Sequence, residues 1–238
     1  MAVLSVAICA RDEERTLDAV AGEVLKLGIS KEILIVDDGS KDRTYEIAQN
    51  LSRKNQQVRI FHHDSSRGKG AALQTALRHA QGEYFAVQDA DLEYEPAQIE
   101  SVVRRMQTEG WDVVFGSRFL KSNPTQYIMF YMGNKLVSRW ISFLTRITIT
   151  DAYTGTKIFK TELLRGFGLK ANGFEIEAEM AVKTGILARQ RRIRFLEIPI
   201  PYHPRTMGEG KKIGVFDGAR AIWSALDYRL DSRRRKMR

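Results

Sequence analysis

A chain of 238 residues fits one large domain, or a domain with an appendage, because single cores grow efficiently up to roughly 250 residues. With 43% hydrophobic residues and 11 Phe, 8 Tyr and 3 Trp to pack, disorder is excluded. The formal charge of +9 is unevenly placed: residues 1–100 carry 12 basic and 17 acidic side chains, residues 101–238 carry 26 and 12. An acidic first part followed by a basic second part suggests metal or nucleotide chemistry first and an anionic partner later.

In chain order, Val3–Ala10 reads as a strand and Glu14–Leu27 as a helix with Leu17, Val20, Val24 and Leu27 on one face. Glu32–Val36 is a buried strand, Thr44–Arg53 a helix, Val58–His62 a strand, Lys69–Ala80 a helix and Tyr84–Gln88 a strand. Pro96 opens the next helix, where its missing N–H is not needed, and Val113–Gly116 closes the pattern as a strand. Strands alternating with helices predict a parallel sheet wound with helices. The second half reads differently. From Tyr127 to Ile147 the residues Met129, Met132, Leu136, Trp140, Phe143, Leu144 and Ile147 recur at three- and four-residue steps, while Lys135, Arg139, Ser142 and Arg146 take another face. Such a helix either lies in a membrane interface or packs on the sheet. Val215–Leu230 is a second, with Phe216, Ala219, Trp223 and Leu226 on one side, and the basic tail Arg233–Arg238 follows it.

The lone cysteine, Cys9, makes no internal disulfide and fits a reducing compartment. No signal peptide is expected, because Met1–Ala10 runs straight into Arg11-Asp12-Glu13-Glu14-Arg15. The longest apolar stretch, Tyr127–Ile149, is interrupted by Lys135, Arg139 and Arg146, so no transmembrane segment is expected either.

Three acidic clusters fall at the carboxyl ends of predicted strands, where open α/β sheets bind ligands: Asp12-Glu13-Glu14, Asp37-Asp38-Gly39-Ser40, and Asp89-Ala90-Asp91-Leu92-Glu93. Ser40 and Asp42 read as turn and cap residues for the next helix. Carboxylates at i, i+2 and i+4 after a buried strand repel one another unless a cation gathers them, and oxygen-only ligands favour Mg²⁺ or Mn²⁺.

The ordered pieces Ser5–Ile8 with Asp12-Glu13, Val36–Thr44, Gly68–Ala72, Asp89–Glu93, Gly116–Phe119, Asp151–Phe159, Glu177–Met180, Glu197–Pro199, and Arg205 with Gly208–Lys212 resemble the GT-A glycosyltransferases of family 2. Within that family they resemble the polyprenyl-phosphate (dolichyl-phosphate) mannose and glucose synthases. The resemblance implies an α/β GT-A fold: a Rossmann-like, doubly wound, mixed but mainly parallel sheet, with C-terminal amphipathic interface helices. Residues 1–120 would form the nucleotide-sugar and metal-binding half, residues 121–230 the acceptor half and residues 231–238 a basic tail.

By the same resemblance, Cys9, Arg11 and Glu13 would border the nucleotide base and Asp38 would contact base or ribose. The family usually shows Pro, Tyr and Asn where this chain has Cys9, Arg11 and Asp12. Lys69 would position the nucleotide. Asp89, Ala90 and Asp91 would form the DxD motif, with Asp89, Asp91 and Glu93 holding Mg²⁺ or Mn²⁺. The implied reaction transfers a hexose from a nucleoside-diphosphate sugar to a polyprenyl monophosphate. Arg118, Lys135 and Arg205 are the candidate clamp for the acceptor phosphate, because two anions must meet and fixed cations position them. Gly208–Lys212 would close as a lid. Glu179 would organise the acceptor side, and Asp151 would be an acceptor-site carboxylate. The partners implied are the nucleotide sugar, a polyprenyl or dolichyl phosphate and the cytoplasmic face of a membrane; the interfacial helices could also pair subunits into a homo-oligomer.

Rival readings keep the donor site with a polysaccharide, protein or soluble acceptor, or make the chain a nucleotide-binding regulator. A hydride-transfer Rossmann enzyme is disfavoured because no G-x-G-x-x-G follows the first strand. Nucleic-acid binding is disfavoured because no recognition motif accompanies the basic residues.

Overall fold

The computed structural model describes residues 3–124, 128–204 and 215–234. Arg205, the Gly208–Lys212 segment and residues 235–238 of the basic tail lie outside the described residues.

Strand β2 (Lys31–Asp37) is buried at every one of its positions. A strand covered on both faces has no polar side to alternate with, which is why its sequence reads as a continuous apolar run. It lies between β1 (Leu4–Ala10) and β3 (Val58–His62), parallel to both, and β4 (Tyr84–Asp89) runs parallel to β1 on the other side. The helices between them are α1 (Leu17–Leu25), α2 (Thr44–Lys54) and α3 (Lys69–His79); α4 (Ala97–Glu109) follows β4 with Pro96 at its start and Gly110, at φ +73°, ending it. Apart from the start of α1, which begins three residues later, these elements match the predicted ones closely.

β5 (Val113–Ser117) is the last strand read from the sequence, and the sheet continues beyond it. The sheet has seven strands in the order β3-β2-β1-β4-β6-β5-β7. Strand β6 (Lys157–Lys160) inserts antiparallel between β4 and β5, and β7 (Phe195–Pro199) pairs parallel outside β5. Both halves of the chain therefore share one mixed, mainly parallel sheet.

Alternation along the strands divides the core in two. Val6, Ile8, Ile33 and Ile35 face α1, α2 and α4 on one side of the sheet. Ala7, Leu34, Val36, Phe85, Phe115 and Phe159 face the other, covered by α3, α5 (Ile128–Thr145), α7 (Glu175–Arg189) and α8 (Val215–Arg234), with the short α6 (Thr161–Gly166) after β6.

Helix α5 decides between its two predicted roles residue by residue. Its buried face is Val137, Ser138, Ile141 and Thr145. The predicted apolar stripe divides: Met129 is 73% exposed, Met132 63%, Leu136 60% and Phe143 72%, while Trp140, Leu144 and Ile147 pack half-buried against the core. On α8, Ala221 and Ala225 are buried while Trp223 is 73% exposed; the side chains of Phe216 and Ala219 lie outside the described residues. Trp140 joins the two helices by donating its indole N–H to the Ile222 carbonyl at 3.1 Å. No helix among the described residues is long and apolar enough to cross a membrane.

Candidate active site

The sheet register brings the acidic clusters together. Cys9 on β1 pairs with Val36 on β2 and with Asp89 on β4, and Ala10 pairs with Asp37, so three strands end at one edge. A cavity of about 920 Å³ opens over that edge. Its floor and near wall include Cys9, Ala10, Arg11, Glu13, Asp38, Lys69, Asp89, Ala90, Asp91 and Glu177; its far wall includes Glu93, Tyr94, Arg118, Phe119, Lys121, Tyr131, Asn134, Tyr153, Phe174 and Tyr202.

At its floor two acids and two lysines alternate. Lys69 Nζ lies 2.7 Å from Asp89 Oδ1 and 2.8 Å from Glu177 Oε1. Glu177 Oε2 takes Lys157 Nζ, which also donates to the Thr154 carbonyl at 2.7 Å. The Glu177 side chain is 3% exposed and Lys157 0%. Burial alone disfavours every charge here, but for Glu177 the two lysines outweigh it and hold the carboxyl below its ordinary range. Lys69 behaves alike: against the cost of burial, Asp89 and Glu177 raise its ammonium well above the ordinary value. Lys157 moves the other way, because its burial outweighs Glu177. Lys69 can stand at this point because Gly68, at φ +96°, and Gly70 let the backbone of residues 171–172 press against the start of α3; a Cβ on Gly70 would fall 2.2 Å from the Ala171 carbonyl oxygen.

Asp38 is caged. Its Oδ1 accepts from Arg67 N at 2.9 Å and meets His63 Nδ1 at 2.7 Å; its Oδ2 accepts from Ser66 Oγ and Gly68 N, each at 2.8 Å. Burial pushes its pKa up, but these four bonds together bring it below the ordinary value. His63 reaches on to Thr75 Oγ1 of α3. Cys9, half-buried at the end of β1 where it borders the cavity, has its thiol pushed up to about 12, chiefly by burial. Asp42 Oδ1 accepts from Thr44 N and Oγ1 at the start of α2, whereas Ser40 Oγ accepts from Asp12 N and so ties down the loop after β1 rather than capping the helix.

On the far wall, Arg118 forms a two-pronged pair with Asp151, Nε to Oδ2 at 2.7 Å and Nη2 to Oδ1 at 2.8 Å, and Nη2 also reaches the Tyr153 carbonyl. Asp151 is set in place by Glu197 of β7, whose carboxylate accepts from the N–H groups of Thr150 and Asp151. Burial raises the Glu197 pKa. Tyr202 donates to Glu93 Oε2 at 3.2 Å, and Asn123 ties the loop after β5 to the segment after β7 by bonding the Arg118 and Ile200 carbonyls and Tyr202 N.

The residues fit a hard divalent ion in kind, since Asp89, Asp91 and Glu93 offer only oxygen and line one cavity. They are not gathered around a point. Among the described residues no three His, Cys, Asp or Glu side chains stand close enough together to hold a metal. The cation already at Asp89 is the Lys69 ammonium.

Residues 5–168 match the family described as Glycosyl transferase family 2. The chain belongs to that family. Among its relatives is a dolichol-phosphate mannosyltransferase of Pyrococcus furiosus, 31% identical over 209 residues, which cover 84% of this chain and 56% of that protein. A dolichyl-phosphate hexose transferase of Haloferax volcanii is 27% identical over 227 residues, 94% of this chain and 92% of that protein. In fold, a Mycobacterium tuberculosis glucosyl-3-phosphoglycerate synthase, crystallised with Mn²⁺, UDP and phosphoglyceric acid, superposes with a TM-score of 0.72 at 20% identity, over 96% of this chain and 78% of that one. The sheet is thus the GT-A type that the sequence implies.

Several residue expectations change within this glycosyltransferase family frame. Glu179 is not in the cavity. Two residues from Glu177 on one helix is a turn of about 200°, so it points away, accepting from Lys170 N and Ala171 N and pairing with Lys183. It secures the loop that presses on Gly70. Lys135 does not line the cavity either; its ammonium lies over the rings of Tyr131 and Phe119, at 4.5 and 5.4 Å from their centres. Arg118 does line it, with its fork closed on Asp151 rather than open for a phosphate. Asp38 builds the loop 63–68 with all of its oxygens rather than offering them outward. Cys9, Arg11, Glu13, Lys69, Asp89, Ala90, Asp91 and Glu93 all border the cavity. Glu177, Lys157, Tyr94, Lys121 and Tyr202 were not singled out from sequence; the signal available for Glu177 was its place in the Glu175–Glu179 run, which does not tell which acid of a helix faces inward.

Proposed function

We propose that this family 2 glycosyltransferase moves a hexose from a nucleoside-diphosphate sugar, of the GDP-mannose or UDP-glucose type, to a polyprenyl or dolichyl monophosphate, working peripherally at the cytoplasmic face of a membrane. The observation that carries the reading is helix α5. Tyr131 and Asn134 on it border the cavity, while Met129, Met132 and Leu136 on the same turns stand exposed. A helix that closes a polar cavity with one face and offers apolar side chains to the outside with the next suits an acceptor whose phosphate enters the site and whose chain stays in lipid. The names of the Pyrococcus and Haloferax relatives support the same acceptor class.

The chemistry needs little from a base. A lipid monophosphate has a second pKa near 6 and reaches the site as an oxyanion. One of its oxygens forms the bond to the anomeric carbon as the bond from that carbon to the diphosphate breaks, the electron pair leaving on the diphosphate, with inversion. A divalent ion held by Asp91 with Asp89 and Glu93 would neutralise the departing diphosphate. Lys69 adds a fixed positive charge beside it, and Arg11 and Glu13 border the nucleotide end of the cavity. Lys121, with Arg205, would gather the acceptor phosphate, and Arg118, its fork closed on Asp151, adds fixed positive charge at the wall rather than a fork for the phosphate. Phe119, Tyr131 and Tyr202 wall the acceptor side.

The test is a panel of labelled UDP- and GDP-hexoses incubated with the protein, polyprenyl phosphate and Mg²⁺ or Mn²⁺, followed by extraction into organic solvent. Label in the lipid with one donor, lost on EDTA, is the expected result. Transfer from every active donor to a saccharide, protein or soluble acceptor alone would refute the lipid acceptor while leaving the family assignment intact.

A further inference from the structure

The cavity floor poses an electrostatic problem for any divalent ion. Asp89 comes to it with one oxygen already held, by an ammonium 2.7 Å away that is also bound to Glu177 at 2.8 Å. The Lys69 side chain is 15% exposed, so it is enclosed by the site rather than swinging in solvent. Lys157, behind it, is occupied by Glu177 and the Thr154 carbonyl. The four charges Asp89, Lys69, Glu177 and Lys157 sum to zero, so the charge on Asp89 is already compensated without a metal, while Asp91 and Glu93 line the same cavity. A divalent ion arriving at Asp89 would meet a fixed positive charge at contact distance.

We propose that Lys69 is a resident counter-ion that a divalent cation must displace from Asp89, so that the protein takes up the metal together with the donor diphosphate and only weakly without it. The displaced ammonium needs a new anion, and the diphosphate beside the DxD residues provides one, so the lysine opposes the metal alone and favours the metal–nucleotide pair. Lys69 thereby acts as a positioning residue that orders binding: it holds Asp89 and Glu177 in place beforehand, and it makes a metal-loaded site without nucleotide unfavourable. Glu177 stays paired with Lys157 throughout, so releasing Lys69 does not strand a buried carboxylate. The inference rests on Asp89 and Asp91 being ligands of the divalent ion.

The experiment measures free Mn²⁺ by electron paramagnetic resonance as Mn²⁺ alone is titrated into wild-type protein, Lys69→Met, Lys69→Gln and Asp91→Asn, each repeated with UDP and with GDP. Removing the positive charge should tighten the binding of Mn²⁺ alone by roughly tenfold or more, the scale set by a like charge at contact in a partly buried site. The same substitution should weaken binding of Mn²⁺ with the nucleoside diphosphate. A merely structural role for Lys69 would weaken both. Lys69→Gln keeps hydrogen-bond donors to both carboxylates and serves if Lys69→Met does not fold. Wild-type protein supplies an independent reading: acetylation of Lys69 by a small activated ester, followed by mass spectrometry, should speed up several-fold at saturating Mn²⁺ and slow again when the diphosphate is added. Unchanged or weakened Mn²⁺ binding in both Lys69 variants, or an acetylation rate indifferent to Mn²⁺, would overturn the proposal while Asp91→Asn still abolished metal binding. If wild-type protein binds no Mn²⁺ even with nucleotide, the metal reading falls and takes the proposal with it.

Discussion

Glu177→Gln isolates the buried charge network. The substitution keeps the shape of the side chain and removes a charge that is 3% exposed, leaving Lys157, wholly buried, with the Thr154 carbonyl and an amide for partners. Removing one member of a buried pair costs about 3–5 kcal/mol, because the charge left behind has lost its compensation. At roughly 2–4 °C per kcal/mol for a chain of this size, Tm should fall by about 6–20 °C. The double variant Glu177→Gln/Lys157→Met removes both charges and should recover most of the loss, a coupling that a double-mutant cycle of urea unfolding measures directly. The sign of the pH dependence follows from the lowered pKa of Glu177. A carboxyl depressed in the folded state stabilises it above the unfolded value, about 4.3, and that contribution is lost as pH falls through the folded value. The wild-type advantage over Glu177→Gln should therefore be complete at neutral pH and shrink in acid. A single variant within about 1 kcal/mol of wild type at neutral pH, or a double variant no more stable than the single, would refute the assignment of Glu177 as the centre of the network.

Glu179→Gln should also destabilise, by about 1–3 kcal/mol from the loosened loop at residues 170–171, yet folded variant should turn over at a rate near wild type in a steady-state assay, unlike Glu177→Gln. Cys9 should react slowly with iodoacetamide in the folded protein at pH 8 and faster on unfolding, since a thiol pushed up to about 12 is almost wholly protonated; fast labelling of folded protein, followed by mass spectrometry, would contradict the raised pKa. Asp38→Asn should free the loop 63–68, seen as faster amide exchange there and a raised KM for the donor, and the wild-type loop should show the same opening in acid as the depressed Asp38 carboxyl is protonated. Met132→Asp with Leu136→Asp should lower partitioning onto anionic vesicles by roughly tenfold or more, each exposed apolar side chain contributing about 1.5–3 kcal/mol when buried, with little effect on the thermal stability of the soluble protein.

The sequence made the first half of the fold readable because β1, β2 and β4 are buried along nearly their whole length and the helices between them show apolar stripes. Lys157–Lys160 escaped because a four-residue strand with only Ile158 and Phe159 apolar carries no periodicity, and its first lysine is buried for the sake of Glu177, a partner 20 residues away. The strand-end acids were legible as a group, but their division of labour was not. Asp38 and Asp89 look equivalent in sequence; one is caged by loop 63–68 and the other faces Lys69 and the cavity, and only the tertiary structure separates them. The same holds for Glu177 and Glu179, which differ in which side of one helix they occupy. For α5, periodicity joined into one stripe residues that the structure divides, Met129, Met132, Leu136 and Phe143 exposed and Trp140, Leu144 and Ile147 half-buried, and could not say that Val137, Ser138, Ile141 and Thr145 pack inward.

The destination of the hexose tests the lipid acceptor most directly. Wild-type protein given its active nucleotide-sugar, Mn²⁺, polyprenyl phosphate in vesicles and an equal concentration of a water-soluble phosphorylated acceptor should place the label in the organic extract, as a product carrying one hexose per lipid phosphate. Label confined to the water-soluble acceptor, with the vesicles unlabelled, would contradict it.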